Sequence, residues 1–139
     1  MIKLKQKKPK ILVIGDLIVD HYLWGSSNRI SPEAPVQIIN VDDESNLLGG
    51  AGNVLNNLNS LDAEVDLISV VGMCETSQVL KDLLIDIGIN LKYLVTQEDR
   101  ISSKKSRIIA AQQQVVRYDK ESSDEINESS QKAILNNFK

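Results

Sequence analysis

Residues 46–61 read Asn-Leu-Leu-Gly-Gly-Ala-Gly-Asn-Val-Leu-Asn-Asn-Leu-Asn-Ser-Leu, a glycine-rich turn followed by a helix-forming segment. Gly49, Gly50 and Gly52 let the backbone take positive φ and allow another molecule to approach closely. The apolar residues after the turn recur at the spacing of one helical face: Val54, Leu55, Leu58 and Leu61. A helix N-terminus has unpaired N–H groups that suit oxygen-rich ligands, and Asn53 in the first turn could bind sugar hydroxyls. The alternative is that the glycines only turn a corner into a buried helix.

The composition is typical of one folded domain. The chain has 139 residues, of which 42% are hydrophobic and 25% are charged. Its formal net charge of −3 argues against nucleic acid as the main partner. The lone His21 cannot form a multi-histidine metal site. These features favour a soluble globular protein.

The N-terminus and the cysteine content indicate the compartment. The single Cys74 cannot form an internal disulfide and fits a reducing environment. No apolar run approaches the roughly 20 residues of a membrane span. The N-terminal lysines lead directly into a short strand-like run rather than a signal peptide. Residues 1–9 are expected to be a solvated basic tail, with a phosphate or membrane patch as the alternative. We therefore expect a cytoplasmic protein without a membrane partner.

Two carboxylates follow the first predicted strand. Residues 10–15 read Lys-Ile-Leu-Val-Ile-Gly, which is typical of a parallel strand buried on both faces. Asp16 follows at its carboxyl end, and Asp20 comes four residues later. Because open α/β sheets bind ligands outside the carboxyl ends of their strands, the two carboxylates could hold sugar hydroxyls or a metal ion. The alternative is that Asp16 caps a turn and Asp20 is solvated.

The rest of the chain divides into predicted elements whose order indicates an α/β fold. They are irregular structure at 21–35, a strand at 36–41, an acidic turn at 42–45, a strand at 65–71, a helix capped by Thr76 or Ser77 and ended by Gly88, a strand at 89–95, a hairpin at 102–119 turning at Gln112-Gln113, and a C-terminal helix containing residues 133–138. The alternation of strands and helices implies crossover connections and a mostly parallel sheet. The hairpin is expected to pair with the 36–41 strand as a small side sheet, with Lys105 and Arg107 on one face.

These motifs together resemble the ribokinase-like (PfkB) sugar kinases. The resemblance rests on Gly15-Asp16-Leu-Ile-Val-Asp20, on Gly49-Gly50-Ala-Gly-Asn53 and on side-sheet segments either side of a three-strand core. Within that family, residues 28–35 and 113–119 are similar to the heptose-7-phosphate kinase domain of bifunctional heptose kinase/adenylyltransferases. The match runs from about residue 10 to about residue 120. It implies that residues 10–139 form the N-terminal, substrate-side half of a ribokinase-like fold, with lid segments near 36–41 and 104–118.

The resemblance also implies an activity and a set of roles. The reaction would be ATP- and Mg²⁺-dependent transfer of a phosphoryl group to the 1-hydroxyl of D-glycero-D-manno-heptose 7-phosphate, in ADP-heptose and lipopolysaccharide core biosynthesis. Asp20 and Asn53 would hold sugar hydroxyls, and Asp16 would lie close to them. Gly49 and Gly50 would pack under the sugar and act as a lid hinge. The basic side chains of Lys105, Arg107 and, less directly, Arg117 would suit the 7-phosphate, unless they are only solvated strand charges.

No catalytic residue is assigned to this sequence, and no metal ligand. The family base is an aspartate in a Gly-Ala-Gly-Asp motif late in the chain, and that motif does not occur here. The resemblance therefore predicts a fragment that carries the sugar half of a site and is inactive alone. It also predicts a homodimer through the side sheet. The alternatives are a fragment of another ribokinase-like sugar kinase, a stand-alone sugar-phosphate binding module, or a fragment that works only with a partner chain.

Overall fold

The computed structural model describes residues 8–138. In chain order the elements are β1 (Lys10–Ile14), β2 (Leu17–Ile30), β3 (Gln37–Gly50), α1 (Ala51–Ser60), β4 (Glu64–Gly72), α2 (Glu75–Asp86), β5 (Leu94–Gln97), β6 (Ser103–Ala110), β7 (Gln113–Lys120) and α3 (Glu128–Asn137). Residues 1–7 of the predicted basic tail lie outside the described residues. Of its remaining part, Lys8 pairs with Asp62. None of the helices in the described part is long and apolar enough to cross a membrane.

The strands form two separate sheets. The main sheet has the order β1-β4-β5, and both of its pairings are parallel. The side sheet has the order β3-β2-β6-β7, in which β2 pairs antiparallel with β3 and parallel with β6. The expected α/β fold with a mostly parallel sheet and flanking helices is confirmed for the main sheet. The segments 36–41 and 104–118 belong to the side sheet and not to the main one.

One apolar core joins the two sheets. Its fully or nearly fully buried members come from β2, β4, α1, α2 and the segment after α2: Leu17, Val19, Leu55, Leu67, Val71, Leu80, Leu84 and Ile89. Each buried leucine contributes about 1.5–3 kcal/mol to folding through the removal of apolar area from water. Of the predicted α1 face, only Leu55 is buried, while Val54 and Leu61 are exposed. The base of β2 is thus held rigidly on the main body.

Three predictions about the side sheet were wrong. Residues 21–30 are not irregular, because β2 continues through them, and residues 42–45 are not a turn, because they lie within β3. β3 is an edge strand, so its acidic residues stay in solvent while the backbone pairs with β2. The hairpin does not pair with the 36–41 strand either, because β2 lies between them.

Smaller boundary predictions also differed from the structure. Cys74, rather than Thr76 or Ser77, is the N-cap residue of α2, and no side chain caps that helix. The third main-sheet strand begins only at Leu94, because residues 89–93 first complete the turn after Gly88. The hairpin turns at Ala111 and Gln112, which both have positive φ. The predicted helix stop at Gly88 is consistent with its φ of 77°.

Candidate functional site

The end of β3 meets the turn between β1 and β2 at Gly50. Gly50 precedes α1 with φ 57°, and a Cβ at this position would lie 2.5 Å from the carbonyl oxygen of Asp16. That same carbonyl accepts a hydrogen bond of 2.9 Å from the backbone N–H of Ala51. The position therefore requires glycine both for its dihedral angles and for its space. The two motifs flanking the helix start, at Asp16 and at Gly49-Gly50, are locked together through the backbone.

Asp20 lies over the backbone of the neighbouring glycine. β2 and β3 are paired so that Gly49 lies opposite Ile18, beside Asp20 on the same face of the sheet. A Cβ at Gly49 would lie 2.3 Å from Oδ2 of Asp20. The absence of a side chain at Gly49 therefore makes room for the carboxylate, whose side chain is 24% exposed.

Arg107 contacts the same carboxylate from the other side. Its Nη1 donates to Oδ1 of Asp20 at 2.6 Å, and this hydrogen bond, with the charge of Asp20, raises the pKa of Arg107 above its ordinary value. The ion pair arises from the parallel pairing of β2 with β6. Their register places Asp20 beside Lys105, and Arg107 lies two residues further along β6 on the same face. Sequence positions 87 residues apart are thereby joined in one half-buried ion pair.

Two aromatic residues that the sequence analysis did not single out extend this face. The guanidinium of Arg107 lies 5.3 Å from the centroid of the Tyr22 ring. Tyr22 stacks on Trp24 with ring centroids 6.0 Å apart. The available signal was the spacing of Asp20, Tyr22 and Trp24, because every second residue of a strand points to one face. The resulting row runs from the glycine turn outward along the side sheet.

The other predicted site residues are less closely connected. Asn53 lies in the first turn of α1 and is exposed. Lys105 is half-buried and next to Asp20 in the strand register, but among residues 8–138 it forms no ion pair. Asp16 lines a surface cavity of about 650 Å³, together with Arg100, Ser103 and residues near 121–126. Arg117 lies opposite Arg107 in the β6–β7 register, on the edge strand β7, where it is paired with Asp119 at 3.1 Å.

The chemistry available at this junction is that of a polar, anion-tolerant ligand site. Within the described residues, Oδ1 of Asp20 is held by Arg107, and Oδ2 accepts no hydrogen bond from protein. A carboxylate oxygen in this state can accept a hydrogen bond from a hydroxyl, and the remaining N–H groups of Arg107 can donate to an anion. No group of three or more His, Cys, Asp or Glu side chains in residues 8–138 is arranged to hold a metal ion. The binding roles of all seven candidate residues stay predictions.

Comparison with known proteins places the chain in a family. The model of the pfkB family carbohydrate kinases matches residues 8–139. The chain is 60% identical over 132 residues to the bifunctional protein HldE of Aliarcobacter butzleri (strain RM4018), which aligns 95% of the chain. It is 55% identical over 135 residues to the protein of the same name in Sulfurimonas denitrificans (strain ATCC 33889 / DSM 1251), and that alignment covers 97% of the chain. The chain spans only 28% of the length of each relative.

Solved structures show the same fold at low identity. A putative sugar kinase from Clostridium perfringens superposes with a TM-score of 0.69 at 16% identity, covering 96% of this chain and 42% of that one. A carbohydrate kinase from Agrobacterium tumefaciens superposes with a TM-score of 0.63 at 24% identity, covering 81% of this chain and 35% of that one. The chain therefore has the ribokinase-like α/β fold and belongs to the pfkB family of carbohydrate kinases.

Proposed function

We propose that this chain is the acceptor-substrate part of a carbohydrate kinase that phosphorylates D-glycero-D-manno-heptose 7-phosphate at its 1-hydroxyl, a step toward ADP-heptose. The observation that carries the proposal is the Asp20–Arg107 pair lying over the bare backbone of Gly49. The similarity to bifunctional proteins named HldE supports the choice of heptose. Other pfkB family sugar kinases are the alternative.

The two members of the pair take different parts of the substrate. Oδ2 of Asp20 accepts a hydrogen bond from a sugar hydroxyl, while Arg107 keeps the carboxylate oriented. The N–H groups of Arg107 that do not contact Asp20 bind the 7-phosphate, with Lys105 on the same face adding a second positive charge. Asn53 and the N-terminal N–H groups of α1 donate to sugar oxygens from the helix side of the site. Asp16 lines a neighbouring cavity with Arg100 and Ser103, and its carbonyl accepts the hydrogen bond from Ala51 at the start of α1.

The side sheet serves as a lid in this proposal. Its base is fixed to the core through Leu17 and Val19, whereas every residue of β7 is exposed. The glycines at 49 and 50 lie where the long β3 strand leaves the body, which suits a hinge. Closure over the sugar would exclude water from phosphoryl transfer.

ATP and Mg²⁺ are the expected co-substrate and cofactor of the complete enzyme, because kinases position a nucleotide phosphate with a divalent ion. A related ribokinase from Cryptococcus neoformans was solved in complex with ADP. The residues of this chain fit the acceptor side of that chemistry. They do not fit the metal, because the described part offers no cluster of metal ligands. The free thiol of Cys74 is compatible with a cytoplasmic location.

We also propose a homodimer through the side sheet. The outer strand β7 exposes Val115, Val116 and Tyr118 by 45–50%, and an exposed apolar edge strand favours pairing with a second copy. Light scattering across a concentration series should give the molar mass of a dimer for the wild-type chain and that of a monomer for Val116→Asp. A monomer at every concentration would contradict this assembly.

The kinase proposal is tested in the complete protein that carries this segment. Asp20→Asn should lower kcat/KM for heptose 7-phosphate by roughly ten- to hundredfold, because a hydrogen bond to a charged group contributes about 1.5–3 kcal/mol. Asn53→Ala should act in the same direction, and the KM for ATP should stay nearly unchanged. Asp42→Asn, which alters an exposed carboxylate of β3, is the matched control. An unaltered kcat/KM in the Asp20 variant would remove Asp20 from the site.

The 139-residue chain by itself should show no kinase turnover. It contains no counterpart of the family base motif, and anion-stabilising donors at such centres are worth about 2.7–4 kcal/mol each. A coupled ADP-release assay with heptose 7-phosphate, ATP and Mg²⁺ measures this. Turnover that depends on the sugar and survives removal of any longer contaminating kinase would show that the catalytic residues have been misplaced.

A further inference from the structure

A buried polar row crosses the side sheet on the face opposite Asp20 and Arg107. His21 in β2 is 5% exposed, and Ser106 in β6 is fully buried. Nδ1 of His21 lies 3.0 Å from Oγ of Ser106, and Nε2 lies 3.3 Å from Oε2 of Glu44 in β3. The imidazole therefore ties together the three strands β3, β2 and β6.

The partners indicate which ring nitrogen carries the proton. A carboxylate oxygen such as Oε2 of Glu44 accepts, so Nε2 of His21 is the donor to it. In the tautomer with its single proton on Nε2, Nδ1 accepts, and the hydroxyl of Ser106 donates to it. Every polar atom of the imidazole is satisfied, which makes the row a directional connection rather than a loose contact.

Along β2 and β6, the residues of this row lie between residues of the candidate site. His21 is flanked by Asp20 and Tyr22, and Ser106 is flanked by Lys105 and Arg107. Because successive residues of a strand point to opposite faces, a shift in the pairing of β2 with β6 would move the Asp20–Arg107 pair and the His21–Ser106 pair together. Fixing one pair fixes the other.

This part of the sheet needs such a fixed point. The pairing of β2 with β3 shifts register after Trp24 and again after Ser26, and that of β6 with β7 shifts after Ile108. Between residues 17 and 24 of β2 the register is uninterrupted. The His21 row lies within that regular segment, next to the site and before the irregular outer half.

We propose that His21, held by Ser106 and Glu44, is a positioning residue that keeps Asp20 and Arg107 in binding geometry. The inference rests on the proposed function, since it concerns the geometry of the same site. The row does not touch the substrate. Its effect is transmitted through the register of β2 against β6.

The test is an NMR titration of the isotope-labelled chain with heptose 7-phosphate. Ser106→Ala leaves Nδ1 of a buried imidazole without its donor and should weaken affinity about two- to tenfold. Glu44→Ala should weaken it in the same direction, while Glu44→Gln, which keeps an acceptor for Nε2, should stay within about twofold of wild type. Ser77→Ala is the matched control, because it removes an equally buried hydroxyl, bonded to Ser102 at 2.9 Å, outside the side sheet.

Amide hydrogen exchange on the same variants provides a readout without ligand. Ser106→Ala should speed exchange at residues 17–24 relative to residues 64–72, and Ser77→Ala should not. Equal affinity losses in the Ser106 and Ser77 variants, or unchanged exchange at 17–24, would overturn the positioning role. If Asp20→Asn abolishes binding and Ser106→Ala leaves affinity and exchange unchanged, only this inference fails. If the wild-type chain does not bind heptose 7-phosphate, the proposed function and this inference fail together.

Discussion

The main sheet and the side sheet are stabilised by different kinds of contact. In the main sheet, β4 is buried for most of its second half and packs with Leu80 and Leu84 of α2 in the shared apolar core. In the side sheet, β7 is exposed throughout, and buried cross-strand contacts include the polar ones of His21 and Ser106. The candidate ligand residues Asp20 and Arg107 lie in the side sheet.

This difference separates stability from binding. Apolar burial gives the main body most of its free energy of unfolding, and it tolerates little change in volume. The side sheet contributes less apolar burial beyond its base, so its geometry depends on register, glycine positions and polar pairs. Substitutions in the two regions should therefore affect different measurements.

The largest expected effect is on the stability of the main body. Leu80 is fully buried, and Leu80→Ala should lower the free energy of unfolding by about 2–5 kcal/mol because it removes apolar contacts and leaves a cavity. Val41→Ala at the 47%-exposed position in β3 of the side sheet should change it by less than about 0.5 kcal/mol. Urea denaturation of both variants measures the contrast. Similar losses would mean that the side sheet is as much a part of the core as the main sheet.

The next effect is on ligand affinity in the side sheet. Arg107→Ala should weaken binding of heptose 7-phosphate by about 1.5–3 kcal/mol, because it removes a charged donor and releases Asp20. Arg117→Ala, which alters a 51%-exposed arginine paired with Asp119, should change affinity little. Titration calorimetry or NMR compares the two. If Arg117 mattered more than Arg107, the site would lie at the outer edge of the sheet.

The smallest expected difference is between two glycines with positive φ. Gly88→Ala at the end of α2 meets no atom within 4 Å, so it should cost only the left-handed strain of about 1–2 kcal/mol. Gly50→Ala carries the same strain and also crowds the Asp16 carbonyl, so it should cost about 1–3 kcal/mol more. Thermal unfolding measures both. Equal losses would mean that the Asp16 carbonyl moves aside to make room for the added Cβ.

The main body could be predicted from the sequence because its signals are local. The apolar run before Gly15 and the helical spacing of α2 each depend on residues close together in the chain. The predicted burial of β1 on both faces was wrong, because β1 is an edge strand and leaves Leu12 and Ile14 42% and 53% exposed. The turn at Gly49-Gly50 was likewise recognisable, since a pair of glycines directly before a helical pattern is a strong turn signal. The family resemblance added the sugar-kinase interpretation to these elements.

The long strands of the side sheet could not be predicted, because their glycine and acidic residues are typical of loops and turns but have a different role in this structure. The segment 21–35, which includes Gly25, was predicted to be irregular, yet Gly25 lies inside β2, where a Cβ would come within 2.1 Å of the Asn40 carbonyl oxygen. The glycine permits close approach at a register shift rather than a turn. Asp42 and Asp43 suggested a turn, but an edge strand can carry charged residues in solvent.

The candidate site was predicted residue by residue but not as an arrangement. Asp20 and Arg107 were both expected to bind substrate, and their mutual ion pair was not foreseen. That contact depends on the parallel pairing of β2 with β6, a long-range match that local periodicity does not encode. The row of His21, Ser106 and Glu44 was hidden for the same reason, because each member alone is an ordinary polar residue.

The most direct test of the account is where a sugar phosphate binds on this chain. Isotope-labelled chain titrated with heptose 7-phosphate should show saturable shifts at residues 16–20, 49–53 and 105–107, and little change in residues 64–72. Unphosphorylated heptose should bind more weakly, and among these residues the chemical shifts of Arg107 should change least. Shifts confined to the cavity near residues 121–126, or no saturable shifts at all, would contradict the claim that the junction of the side sheet with α1 is the sugar-phosphate site.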